Sequence, residues 1–249
     1  MIIDFRRALA DFESTSHEVI SLIKTRYPNE HVATMRFYGA LDDLVNSSRI
    51  AFSKSIALEP WIQQFHSVGL SIGGTYTLRE IAKELEEQRV FLEDWKRLGL
   101  EAEYNSLTKE LNTAFKSYIL FCRSFQDCLY HAMLLLSENP PPTNVNMTRA
   151  FSGRNPKPGS VFEREFLVKG EYVEWFWWLN DIRNRVKAGN PIGTIGPPGD
   201  IGVTFSFFDE TGIVSVTTER KDRVLRSDLV KGLNISRNLC LRLCELGRT

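Results

Sequence analysis

The chain has 249 residues, of which 43% are hydrophobic, and its 31 basic and 31 acidic residues cancel. This length allows one large domain or two small ones, and the composition supports a substantial core. The zero net charge argues against a strongly charged binder of nucleic acid or membranes, although it leaves room for a local basic patch.

The composition also bears on location and on metal sites. No apolar run approaches the length of a membrane span, and the first residues, Met1 to Arg7, lack an apolar signal core. We therefore expect a cytoplasmic protein that contacts no membrane. The four cysteines, at positions 122, 128, 240 and 244, lack the paired spacing of a zinc ribbon. We expect free buried thiols, no metal and no cofactor.

Hydrophobic periodicity predicts four helices in the first half of the chain, over residues 4–26, 31–58, 77–98 and 101–137. Asn29 is the expected cap of the second helix, and residues 68–77 form a glycine-containing connection. The third helix starts with a capping box at Thr77–Glu80 and ends at Gly99. Its start resembles the first helix of a helix-turn-helix, but the turn is missing, which favours an ordinary amphipathic helix.

The fourth helix carries polar residues inside a wide apolar face. Arg123 and Asp127 are four residues apart and can pair along the helix, and His131 follows one turn later. The pair is either an exposed ion pair or part of a polar layer that faces another helix, and the sequence leaves both interpretations open.

Residues 138–160 contain five of the ten prolines and indicate a long irregular loop, followed by a short helix over 161–168. The helix at 174–189 holds three of the five tryptophans and then changes to Asn, Asp, Arg and Lys. Gly189 and Pro191 are expected to end it. One stripe of this helix contains Val173, Phe176, Asn180, Arg183 and Lys187.

After this helix, residues 190–200 are rich in Gly and Pro and lack the Gly-Lys-Ser/Thr of a phosphate loop. Residues 203–208 and 213–218 alternate with period two and predict a β-hairpin. Ser227 is the expected cap of a last helix. The predicted fold is mainly α, a helical bundle with one β-hairpin near the C-terminus. Its expected parts are an N-terminal helical region, 1–100, and a bundle, 101–249.

No catalytic motif accompanies these elements. The histidines, at positions 17, 31, 66 and 131, lie outside zinc-protease and nucleophile-elbow motifs, and no carboxylate pair has a recognisable pattern.

The segment Ile182–Gly189, with aromatic residues before it, resembles the signature helix of the HEPN domain (higher eukaryotes and prokaryotes nucleotide-binding). Phe121–Asp127 is similar to the preceding helix of such bundles, and the resemblance covers roughly residues 101–246. It implies a helical bundle that dimerises and brings two motifs into one cleft. In many endoribonucleases of the family, an Arg-x4-6-His motif forms the active site.

This chain departs from the motif at one position, because Ala188 stands where the family has His. Alanine cannot exchange a proton, and loss of a general acid or base usually slows a reaction ~10²–10⁴-fold. The resemblance therefore implies a non-catalytic module that binds RNA, a nucleotide or a protein partner, in a prokaryotic defence or toxin–antitoxin setting. The alternatives are an active endoribonuclease that uses another residue, such as His131, and a helical scaffold without a ligand.

The expected ligand-binding cleft has no catalytic residue, and it comprises Arg183, Asn184, Lys187, Arg123, Asp127 and His131. We expect Arg183 and Asn184 to face the long helix, with Asp127 paired to one of the two arginines, because a buried Arg needs a carboxylate. The aromatic surface around Trp175 and Trp178 predicts a homodimer.

Overall fold

The computed structural model describes residues 1–67, 86, 89–90, 93–137, 148, 170–189, 192–208, 214–216 and 222–248. The predicted connection at 68–77, the capping box, most of the loop at 138–160, the short helix at 161–168 and the hairpin turn lie outside these residues. The prediction of a mainly α fold is confirmed. Six helices have defined bounds: α1 Ile2–Arg26, α2 His31–Ala57, α3 Glu59–Ser67, α4 Leu100–Ser137, α5 Gly170–Lys187 and α6 Arg226–Arg248.

The helix ends follow local chemistry. Gly99 and Gly189 have φ angles of +71° and +75°, which glycine adopts without strain, and both end helices as predicted. The predicted cap of α2 is wrong, because Glu30, and not Asn29, precedes its first turn, and no side chain caps it.

The core lies between α1, α2, α4 and α6, and its centre is aromatic. The ring of Phe125 in α4 lies 5.1 Å from that of Phe12 in α1 and 5.2 Å from that of Phe37 in α2. All three side chains are at most 2% exposed. The Phe12–Phe125 contact is edge-to-face and the Phe37–Phe125 contact is tilted, and such aromatic pairs stabilise a core beyond the burial of area alone.

α4 is antiparallel to α2 and to α5. Against α2, it places Phe125 beside Phe37 and Glu110 beside Lys54, so residue numbers rise in one helix as they fall in the other. Along α5, Arg123 lies over the ring of Phe176, and Asn112 donates a hydrogen bond of 3.3 Å to the carbonyl of Ile192 beyond the end of that helix. The long helix and the tryptophan-rich helix therefore pack antiparallel.

The sheet is larger than the predicted hairpin. Its four strands are β1 Ile192–Ile195, β2 Gly202–Phe208, β3 Val214–Val216 and β4 Arg223–Leu225. The predicted pairing of β2 with β3 is confirmed, with Ser206 opposite Val216. β1 and β4 also pair with β2 in antiparallel fashion. β1 lies inside the Gly- and Pro-rich segment 190–200, for which the sequence predicted no strand.

Gly202 explains how β4 can approach β2. A Cβ at this position would lie 2.6 Å from the Cα of Leu225 and would overlap the carbonyl oxygen of Val224. A side chain here would push the two strands apart, so the missing Cβ is a requirement of the pairing.

The start of α6 is anchored by side chains from distant segments. Asp200 accepts hydrogen bonds from the backbone N–H and the hydroxyl of Ser227, both at 2.7 Å. Asp228 accepts the Leu225 N–H at 2.8 Å, which resembles the second half of a capping box. The prediction that Ser227 caps α6 is therefore wrong, because carboxylates satisfy these donors and Ser227 lies inside the helix.

Arg226 ties the same end of α6 to the N-terminal half of the chain. It is 5% exposed, pairs with Glu59, and donates bonds of 2.9 and 3.1 Å to the hydroxyl and carbonyl of Ser55. The apolar core is likewise continuous between helices on both sides of residue 100. The division into regions 1–100 and 101–249 stays a prediction. Among the described residues, no helix is long and apolar enough to cross a bilayer.

Candidate functional site

α5 changes from buried to exposed along the stripe that the sequence singled out. Phe176 and Asn180 are buried, Arg183 is half-buried, and Lys187 is exposed in the last turn. The apolar first half holds the helix against α4, so its charged second half projects from a fixed position. The helix thus presents Arg183 and Lys187 at the edge of the bundle.

Arg123 of α4 is the buried charge of this region, with a relative exposure of 3%. Its guanidinium pairs with Asp127 at 2.7 Å, donates a hydrogen bond of 2.6 Å to the hydroxyl of Thr148, and lies 4.7 Å above the ring centre of Phe176. The prediction that Asp127 pairs with one of the two arginines is confirmed. The Asp127 side chain is 39% exposed, so the pair runs from the core to the surface and is neither wholly buried nor wholly exposed.

Arg183 lies close enough to Arg123 to lower the pKa of its guanidinium. Burial is the main cause that lowers the pKa of Arg123, the Asp127 carboxylate opposes it, and the neighbouring Arg183 guanidinium adds to the lowering. Arg183 itself has one hydrogen bond among the described residues, of 3.5 Å, to the side-chain oxygen of Asn184. The guanidinium groups of Arg123 and Arg183 are therefore neighbours, and the Asp127 carboxylate pairs with that of Arg123.

Asn184 does not take part in a buried layer, because it is exposed. The expectation that it faces α4 is wrong. The buried amide of the helix is Asn180, one turn earlier, at 9% exposure. The side chains of α5 become exposed over its last two turns, and Asn184 falls on the outward side there.

The sequence did not predict the buried ion pair between Arg185 and Asp222. The Asp222 side chain is fully buried and that of Arg185 is 19% exposed. The hydroxyl of Thr204 in β2 also donates a bond of 3.3 Å to the backbone carbonyl of Asp222. This pair fixes the charged end of α5 to the sheet. No local sequence pattern around Asp222 predicts the contact.

His131 lies one turn beyond Asp127 and shares a cavity with it on the side that faces α2. It lines a cavity of about 190 Å³ that α1, α2 and α4 enclose, together with Arg36, Phe37 and Asp127. Burial lowers the pKa of His131, Glu30 opposes this effect, and Arg36 adds to it. The structure therefore brings Arg123, Asp127 and Arg183 together and places His131 on the side of Asp127 that faces α2.

The thiols offer no nucleophile at this site. The four cysteines are free, as predicted. Burial raises the pKa of both Cys122 and Cys240 to about 12, so both are thiols at neutral pH. Within the described ranges, no cluster of His, Cys, Asp or Glu could hold a metal ion.

Comparison of the chain with protein-family models, with curated proteins and with solved structures gives no match.

Proposed function

We propose that the chain is a non-catalytic HEPN-like module that binds RNA through its phosphate groups, at the charged end of α5. Arg183 and Lys187 are the contact residues, because both side chains reach solvent: Arg183 is half-buried and Lys187 is exposed. Arg123 is too buried for direct contact and acts through its charge.

One observation carries the proposal: Arg123 and Arg183 lie close together while the paired carboxylate, Asp127, serves Arg123. Among the described residues, these two neighbouring cations pair with one carboxylate, that of Asp127, and a phosphate group would neutralise the excess positive charge. A guanidinium suits this ligand, since its planar donors can hold two phosphate oxygens at once. Arg185 is held by Asp222, so Arg183 is the arginine of this turn that remains available to a ligand.

The lack of a general acid at the motif position supports binding without cleavage. Ala188 follows the last turn of α5 and is exposed, and its methyl group cannot exchange a proton. His131 is the residue on which the alternative, an active ribonuclease, depends. Its charged neighbours are Glu30 and Arg36.

The proposal is tested by the fluorescence anisotropy of a labelled single-stranded RNA, titrated with protein at several salt concentrations. We expect Arg183→Gln and Lys187→Gln each to weaken binding and to reduce the slope of log K against log salt by about 0.7. Arg248→Gln is the matched control, since it removes the same charge elsewhere. Arg248 pairs with Glu18, and the adjacent Gly247 contacts Leu136 at the opposite end of α4.

Flat titrations at low salt would remove RNA as the ligand and favour a protein partner or a scaffold. Equal losses in Arg183→Gln and Arg248→Gln would indicate unspecific attraction and would contradict the assigned surface. Incubation with transfer RNA and total RNA addresses the alternative, because cleavage that disappears in His131→Gln would identify an enzyme.

A further inference from the structure

A groove of about 480 Å³ runs between α2 and α4, and it is separate from the α5 surface. Ala114, Ser117 and Phe121 of α4 and Ser47 of α2 line it. Ile50 forms part of its wall and is 52% exposed, although it lies beside the core helices. Ile50 therefore adds exposed apolar area beside the groove, which a molecule seated there would cover.

The two ends of the groove carry opposite free charges. Lys54 and Glu110 pair across one end and cancel, which leaves the adjacent Lys109 as the excess charge there. Asp43 lines the other end, eleven residues before Lys54 on α2, or about 16 Å along the helix axis. Both Asp43 and Lys109 are exposed, and neither has an ion-pair partner among the described residues.

This arrangement is complementary to itself. A two-fold axis through the middle of the groove would turn one copy end for end against the other, so that each acidic end meets a basic end. Ile50 lies four residues from Lys54 and seven from Asp43, close to such an axis. Isologous interfaces require this property, because the same patch must contact itself.

We propose that the groove between α2 and α4 is the homodimer interface of this protein. In the dimer, Asp43 of each copy pairs with Lys109 of the other copy, and the two Ile50 side chains pack near the axis. The pairing forms two equivalent ion pairs around an apolar centre, which fixes the orientation of the two copies. The tryptophans of α5 are a weaker candidate for this contact, because Trp175 is 4% exposed and Trp177 and Trp178 are partly buried against the core.

Sedimentation velocity of the full chain between 1 and 100 μM tests the interface (roughly the range in which weak dimers dissociate). We expect the unmodified protein to reach twice the chain mass of 28.6 kDa. Either Asp43→Lys or Lys109→Asp alone places like charges opposite each other in both copies of the ion pair. Each should raise the dissociation constant of the dimer at least about tenfold. The double variant restores both pairs in reverse and should return the constant to near that of the unmodified protein.

Two further variants complete the test. Ile50→Asp should produce a monomer, and because Ile50 is half in solvent, its circular dichroism melt should stay close to that of the unmodified chain. Glu245→Lys is the matched control for charge reversal on α6, away from the groove, and should leave the dimer intact. A chain that is monomeric throughout, a dimer that survives Ile50→Asp, or a double variant that fails to regain association would each overturn the proposal.

Discussion

Replacing Gly232 with alanine tests how closely α6 must approach the helices that carry the candidate site. A Cβ at this position would lie 2.8 Å from Cζ2 of Trp175 in α5 and would overlap the hydroxyl of Tyr118 in α4. Both neighbours are buried, so neither can move into solvent. Overpacking of a core usually costs about 1–3 kcal/mol.

The expected size follows from two opposing effects. Alanine is favoured over glycine inside a helix by about 1 kcal/mol. The net loss for Gly232→Ala is therefore up to about 2 kcal/mol, which lowers Tm by up to roughly 8 °C in a chain of this size. Gly39→Ala is the matched control, because a Cβ there meets nothing within 4 Å. It should raise Tm by about 2–4 °C.

Thermal melts followed by circular dichroism measure both variants, and a second substitution locates the strain. Tyr118→Phe removes the overlapped hydroxyl and a long hydrogen bond of 3.4 Å to the carbonyl of Asp228. In the Gly232→Ala background it should recover part of the lost stability, with a coupling of about 1 kcal/mol. If Gly232→Ala instead raises Tm as Gly39→Ala does, the close approach of α6 is refuted.

Three further outcomes follow from buried charges and thiols. Arg185→Gln should lower the free energy of unfolding by about 3 kcal/mol in urea titrations, because it breaks the ion pair with the buried Asp222 carboxylate; a loss no larger than that in Arg183→Gln would contradict this. Burial lowers the pKa of His131 below 6.5, so the unfolded state takes up the proton first as the pH falls. Stability should therefore decline from pH 6.5 downward, and the decline should be smaller in His131→Gln. Iodoacetamide at pH 7.5 should leave Cys122 and Cys240 unlabelled until the chain unfolds, and rapid native labelling of either would refute the raised pKa values.

The elements that the sequence predicted are those whose patterns repeat locally. α4 and α5 have apolar residues at helical spacing over many turns, and Gly189 ends α5 with the expected left-handed conformation. β1 and β4 escaped prediction because they have four and three residues and become strands only through β2. Periodicity over so few residues carries little information.

In the candidate site too, contacts between residues close in sequence were predicted and contacts between distant residues were not. Arg123 and Asp127 are four residues apart on one helix, so their pairing follows from sequence spacing. Arg185 and Asp222 are separated by 37 residues, and their contact depends on how the sheet folds back onto α5. Spacing along α4 also suggested that His131 belongs with Asp127 and Arg183. His131 does share a cavity with Asp127, but its other charged neighbours, Arg36 and Glu30, come from the packing of α2.

The first and last helices of the fold pack side by side in the same direction. Asp11, Ser16 and Glu18 of α1 contact Arg237, Cys240 and Arg248 of α6, in that order. A ribosome must add 224 residues after Ser16 before Cys240 exists. At usual rates of synthesis this takes roughly 10–45 seconds. During that time α2 can already cover Phe5 through the stacked ring of Phe52, while the side of α1 that receives α6 stays bare. The nascent chain therefore carries an open apolar strip until α6 has been synthesised, and a premature stop within α6 leaves that strip exposed to chaperones and proteases.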